Sequence, residues 1–166
     1  PNTGLVSPIG MPTSFTGLDA LAYAATDDIL YAAETTGSQL LMFDRTTGVA
    51  TVVMGWGYGA VHGLAWDRRT NTLYGNSIQN GDLFTIDLAK KTTSRVAVLT
   101  HGTDPNHDFY DELTFHNDVL YGIYRLPLTD PNREDAQIRR INLPGGKATD
   151  VGPLIPDVSS HSLVVN

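Results

Sequence analysis

The 166-residue chain contains no cysteine, which excludes a disulfide framework, a thiolate metal site and a cysteine nucleophile. Long apolar runs are also missing. "DILYAA" (28–33), "QLLMF" (39–43) and "VATVVM" (49–54) are among the longest, well short of the roughly 18 residues that a membrane-spanning helix needs. No basic segment leads into an apolar stretch near the start. The sequence opens on Pro1 instead of Met, as a mature or trimmed form would. Positive charge is scarce: 11 Lys and Arg stand against 18 Asp and Glu, giving a formal net charge of −7 and a pI near 5.0. The basic residues are scattered apart from pairs such as Arg68–Arg69 and Lys90–Lys91, so the electrostatic footprint of a nucleic-acid binder is absent. No Gly-x-Ser-x-Gly elbow, phosphate loop, dinucleotide fingerprint or His-Glu-x-x-His helix occurs, nor any Asn-x-Ser/Thr glycosylation sequon. No window carries the 3.6-residue apolar period of an amphipathic helix.

Enough apolar sequence remains for one folded domain. Hydrophobic residues make up 41% and charged residues 17%, outside the disordered range. Sixteen Gly and nine Pro point to many tight turns. The order in which they punctuate the chain is periodic. "LAYAATDDILYA" (21–32) lies over "LAWDRRTNTLYG" (64–75) at an offset of 43, and the same offset carries "SQLLMFDRTTG" (38–48) onto "GDLFTIDLAKK" (81–91). A third copy begins at "LTFHNDVLYG" (113–122), its first hairpin two residues shorter, and resumes at "IRRINLPGG" (138–146) with Asn142 in place of the aspartate.

Each copy holds four short apolar runs bounded by turn residues; in the second they are "HGLAW", "TLYGNS", "DLFTID" and "SRVAVL". Partial alternation and turn sequences such as "DRRTN", "DRTTG" and "NLPGG" predict four antiparallel strands per copy. Four strands at a period near 43 are the signature of β-propeller blades; an ordinary β-sandwich, whose strands also recur at short spacing, accounts less well for an offset matched over two segments. The expected fold is all-β. Three full blades lie at about 17–55, 60–99 and 109–152. "TGLVSPIG" (3–10) reads as a fourth strand of a preceding blade and "SHSLVVN" (160–166) as a first strand of a following one. Such an arrangement is half of a ring or an incomplete one, and an open sheet edge of this kind invites pairing. Either another protein chain, a copy of this one or a second subunit, completes the ring, or the native polypeptide continues beyond Asn166; a four-bladed ring with one thin blade is the remaining arrangement.

The run of a strand, a short turn, "LYG", then "LFTID" or "LLMFD" and a "TTG" turn resembles the blades of bacterial WD-repeat-like, NHL-like and lactonase-like β-propellers. The resemblance covers most of the chain and implies the fold more than an activity. The Gly-His and Trp-Asp signature of true WD repeats is missing from its usual positions; "AWD" (65–67) sits on the first strand instead. The resemblance further implies that the first strand of each blade is innermost, so its opening residues ring a central channel.

At that opening position the copies carry Asp19 before "AL", His62 before "GL", Asp111 before "EL" and His161 before "SL". Carboxylates and imidazoles converging on one axis suit a divalent ion, Ca, Zn or Cu among the candidates. They equally suit a general base or polar groups that hydrogen-bond across the channel. The linker "THGTDPNHDFYDE" (100–112) is a second candidate, with Asp104, His107, Asp108 and Glu112 as possible oxygen and nitrogen ligands, although its spacing is not that of an EF-hand; a solvated loop with Asx-turns accounts for it as well. "TDPNREDAQ" (129–137) inserts into the second-to-third loop of the third copy. Trp56 and Tyr58 in "MGWGYG" (54–59) are candidate ligand-face aromatics or covers of the channel mouth. Tyr31, Tyr74 and Tyr121, and likewise Tyr23, Trp66 and Phe115, recur with the blade and read as packing residues. Two functions follow as expectations: a non-catalytic extracellular, cell-surface or periplasmic module for binding and assembly, or a metal-dependent hydrolase or lyase similar to the lactonase-like propellers.

Overall fold

The computed structural model of the chain describes residues 9–10, 14–101, 110–126 and 135–156. Among the described residues every regular element is a β-strand, and no helix is long and apolar enough to cross a membrane. Three antiparallel meanders follow one another. Blade 1 is β1 (Leu18–Ala24), β2 (Ile29–Glu34), β3 (Gln39–Phe43) and β4 (Ala50–Gly55); blade 2 is β5 (Val61–Asp67), β6 (Thr72–Ser77), β7 (Asp82–Asp87) and β8 (Thr92–Val98). Blade 3 is β10 (Tyr110–His116), β11 (Val119–Leu126), β12 (Asp135–Ile141) and β13 (Lys147–Asp150). A two-residue strand, β9 (Thr100–His101), adds to its outer edge, parallel to β13. The sequence suggested only a linker there. The ring is open.

Turn chemistry fixes the meanders. The Asp44 carboxylate accepts the Thr46 and Thr47 N–H groups, both at 2.8 Å. The Asp87 carboxylate accepts the Lys90 N–H at 2.9 Å and its ammonium at 2.7 Å. These bonds hold both carboxyls below the usual aspartate range. Asp67 does the same for the first hairpin of blade 2, accepting from Arg69 N–H and Thr70 Oγ1. The aspartates of "AWD" and "LFTID" are thus turn formers. In blade 3 the shorter first hairpin turns on Asn117 and Asp118, with φ of 48° and 62°, the left-handed pair of a type I′ turn.

The three sheets stack face to face, with unlike faces in contact. Each has a backward face toward the preceding blade and a forward face toward the next. Blade 2 turns Val61, Leu64, Trp66, Phe84 and Ile86 backward onto Ala20, Ala22, Ala24, Tyr31, Ala33 and Leu40 of blade 1. Blade 3 turns Tyr110, Leu113, Phe115, Leu120 and Ile141 backward onto Ala65, Tyr74 and Leu83 of blade 2. One aromatic pair recurs at both junctions: Tyr31 with Trp66 at 6.3 Å and Tyr74 with Phe115 at 5.4 Å between ring centroids. Large side chains over small ones let sheets approach to interior packing density.

Two positions depart from the repeat. Tyr23, expected to pack like Trp66 and Phe115, is exposed, because no described blade stands behind blade 1. At the place of Phe84, blade 3 carries Arg139, buried over the Tyr124 ring at 3.7 Å and bonded through Nε to Asp150 at 2.9 Å. The proposed terminal strands fall mostly outside the described residues, which include none of 160–166 and only Ile9 and Gly10 of 3–10. Those two approach the third turn of blade 1 closely: a Cβ on Gly48 would lie 2.1 Å from the Ile9 carbonyl oxygen. The exit of β8 meets blade 3 in the same way, with the Thr100 N–H donating to the Gly146 carbonyl at 3.3 Å.

Gly146 has φ of +71°, and a Cβ there would lie 2.6 Å from both Ala97 Cβ and the Val98 carbonyl oxygen. Gly146→Ala is therefore expected to cost at least about 1–2 kcal/mol from the backbone conformation alone, with the crowding added. Urea unfolding of the two chains measures it; an unchanged midpoint would contradict the close approach.

Candidate functional site at the channel mouth

The innermost strands of all three blades carry an irregularity at one place. The register jumps between Leu18 and Ala20, between Val61 and Gly63, and between Tyr110 and Glu112. The skipped residues are Asp19, His62 and Asp111, three of the four residues that the repeat aligned. A β-bulge leaves its extra residue out of the ladder and re-aims its side chain. Repeated three times, it turns these side chains toward one another at the end of the sheets where β1, β5 and β10 begin.

His62 stands at the centre. Its Nε2 lies 3.8 Å from Asp19 Oδ2 and its Nδ1 lies 3.9 Å from Asp111 Oδ1. Both distances are within ion-pair range but too long for hydrogen bonds. Asp111 is bound more firmly on its other side, accepting from Arg125 Nε at 2.7 Å. Arg125 comes from β11, one strand outward, and the repeat gave no signal for it. The constellation is an alternating row, Asp19, His62, Asp111, Arg125, in which each carboxylate faces a base. Among the described residues no group of three or more His, Asp or Glu side chains is placed to hold a metal ion. His161, the expected fourth member, lies outside the described residues, as do Asp104, His107 and Asp108 of the alternative loop site.

Glu112, the fourth residue of that loop proposal, is part of β10. Its Oε1 accepts the Leu113 N–H at 3.1 Å, and its carboxyl faces the backbone N–H of Leu64 on β5. Burial pushes its carboxyl up to about 8, the Asp111 charge adds to this, and the two N–H groups pull the other way. Trp56 is buried against Phe84, with ring centroids 6.3 Å apart, and Tyr58 stacks on the same ring at 4.1 Å. Trp56 is therefore a core residue, and Tyr58 lies half-buried beside it. Phe84 supplies the apolar platform that draws both rings inward. Surface grooves lined by Ile29, Met42 and Arg45, and by Arg69, Tyr74 and Arg140, lie at the opposite edge of the sheets, away from His62.

With this geometry in place, the comparisons with known proteins fix the family. Residues 2–161 match the family model described as a repeat of unknown function, DUF6923. The chain belongs to that family. No curated protein matches it by sequence. Solved structures similar to this DUF6923 chain include one from a nidogen/laminin complex (TM-score 0.58, 15% identity, 80% of this chain and 47% of that one). Another is a gluconolactonase from Xanthomonas campestris (TM-score 0.63, 12% identity, 83% and 48%). A third is a protein of unknown function from Bacteroides thetaiotaomicron (TM-score 0.59, 15% identity, 82% and 33%). At these identities the likeness is one of fold: this DUF6923 chain is built as β-propeller proteins are, and it spans half or less of the length of each of these three.

Glu112 yields a pH test with a definite sign. Between the ordinary glutamate range and about pH 8 the folded chain keeps a proton that the unfolded chain has lost. Raising the pH through this window therefore lowers stability. Glu112→Gln cannot ionise, so its loss of stability between pH 5 and pH 9 should be smaller than that of the parent, by on the order of a few kcal/mol. Parallel pH profiles from chemical unfolding would contradict this placement of the carboxyl.

Proposed function

We propose that the chain is a non-catalytic β-propeller module that binds and assembles with other protein chains outside the cell or at its surface. One observation carries the reading: the backward face of blade 1 is exposed along its innermost strand, although Ala32 and Leu41 further out on the same face are buried. Leu18, Leu21 and Tyr23 are 38%, 55% and 46% exposed, whereas Val61, Leu64 and Trp66, the same positions in blade 2, are 0%, 1% and 9% exposed. Val52, on β4 at the far edge of the same face, is 45% exposed. Exposed apolar side chains at positions that the next blade buries suit a protein contact. Covering four such side chains contributes several kcal/mol, at about 1.5–3 kcal/mol for each large apolar side chain taken fully from exposed to buried. The channel-mouth row fits the same use, as a polar surface that a partner can meet. The neighbour from a nidogen/laminin complex, a propeller-like chain bound to another protein, supports the binding role.

A substitution pair tests this. Leu21→Asp should leave folding intact and abolish association, read by sedimentation velocity and by the urea midpoint. Leu64→Asp, at the covered counterpart, should unfold the chain. Association unchanged in Leu21→Asp would remove the reading.

A second reading, a metal-dependent hydrolase or lyase, is favoured by the position of His62 between two carboxylates. Elemental analysis of the isolated chain separates the two. Stoichiometric metal lost in His62→Ala would support the hydrolase, and its absence in the parent would leave the binding module.

A further inference from the structure

Basic residues that are scattered along the sequence are gathered by the fold. Among the described residues Arg45, Lys90, Arg95, Arg125 and Arg139 each stand within ion-pair distance of an aspartate. The side chains of Arg68, Arg69, Lys91, Arg140 and Lys147 have no hydrogen-bond or ion-pair partner there, and all five residues are exposed. These five share one place. β5, β7 and β12 run from the channel-mouth end of the sheets to the opposite edge. Arg68 and Arg69 in the turn after β5, Lys91 in the turn after β7, Arg140 near the end of β12 and Lys147 at the start of β13 therefore all lie on that opposite edge of blades 2 and 3.

The acids of the same edge are mostly committed. Asp67 is 4% exposed, and its carboxylate accepts from the Arg69 N–H and Thr70 Oγ1. Asp87 holds the Lys90 ammonium at 2.7 Å. Asp118 is exposed and offsets part of the charge. A chain of formal net charge −7 thus carries a basic patch. Unpaired like charges on one surface repel one another, and an opposite charge on a partner relieves this.

A groove opens into the patch at the junction of blades 2 and 3. Arg69, Tyr74, Phe115 and Pro144 are among the residues that line it, and Arg68 lines the adjoining hollow beside Phe115 and Asp118. The Arg69 charge acts on the groove floor: burial pushes the Tyr74 phenol up, the Asp67 charge adds to this, and Arg69 opposes it. Tyr74 and Phe115 pack on each other at 5.4 Å between centroids, so they offer the groove an apolar floor more than free ring faces.

We propose that the edge of blades 2 and 3 away from the channel mouth docks an acidic segment of a partner protein, whose carboxylates meet Arg68 and Arg69 and whose apolar side chains enter the groove over Tyr74 and Phe115. This rests on the reading of the chain as a protein-binding module and gives one partner its chemistry. Guanidinium groups take carboxylates in paired hydrogen bonds. A polynucleotide fits less well, because its charge recurs at every unit whereas this patch sets Asp67 and Asp118 among its cations.

The probe is a fluorescent peptide alternating glutamate and leucine, titrated with the chain at low and at physiological salt. The same peptide with glutamine for glutamate, heparin and a single-stranded oligonucleotide are compared with it. The expected result is binding of the acidic peptide alone, weakened by salt, with amide NMR shifts confined to the turns after β5 and β10. Arg68→Gln/Arg69→Gln should weaken it roughly tenfold with the urea midpoint unchanged, since neither side chain bonds within the chain. Arg45→Gln/Arg95→Gln, an equal loss of charge off the patch, should not weaken it. Leu21→Asp, whose association reads the blade 1 contact, should still bind the peptide, so the two contacts fail separately. No binding by the parent, equal weakening in both double variants, or shifts elsewhere would overturn the proposal and leave the blade 1 contact standing. Tighter binding of heparin or the oligonucleotide, lost in Arg68→Gln/Arg69→Gln, would assign the patch to a polyanion and overturn the acidic protein partner.

Discussion

The structure depends on one constraint: a four-stranded sheet has two faces, and in this chain both are apolar. Blade 2 satisfies the constraint, because it has a blade on either side. Its backward face of Val61, Leu64 and Trp66 lies on the alanines of β1, and its forward face of Ala65 and Leu83 lies under Leu113 and Leu120. The pairing of large with small is directional, so the blades stack in one order. The same directionality leaves two unlike faces at the ends, and these faces, more than any pocket, give the molecule its chemical demand.

The channel-mouth row follows from the same construction. Because the blades repeat, the bulge that opens each innermost strand repeats with them, and Asp19, His62 and Asp111 arrive at one level. With Arg125 bound to Asp111, they make a polar rim. Glu112, next along β10, is held by the Leu113 N–H, and its burial pushes its carboxyl up to about 8.

Much of the fold could be read from the chain before any coordinates. The 43-residue offset located every strand of blades 1 and 2, because turn formers such as Asp44 and Asp87 act through bonds two or three residues away and leave a local signature. The convergence of Asp19, His62 and Asp111 was readable for the same reason, since alignment in a repeat is alignment in space. What escaped were contacts that the repeat does not align. Arg125 reaches Asp111 from the neighbouring strand, and β9 pairs with a strand nearly fifty residues further on. Trp56 and Tyr58 read as ligand-face aromatics or covers of the channel mouth because their glycine neighbours suggest a loop; Phe84, against which Trp56 is buried and Tyr58 half-buried, belongs to a different segment. Equally, Tyr23 carries the sequence of a packed residue, and its exposure records which blade it belongs to, a property of the assembly that its own sequence does not encode.

The central claim is that the backward face of blade 1 is an interior surface, covered in the working protein as Leu64 and Trp66 are covered. Hydroxyl-radical footprinting reads side-chain accessibility at these residues individually. The account predicts that, at concentrations where the chain is assembled, Leu21 and Tyr23 are protected to the degree of Leu64 and Trp66, and that their labelling rises on dilution while that of Leu64 and Trp66 does not. Free labelling of Leu21 and Tyr23 at every concentration would contradict it.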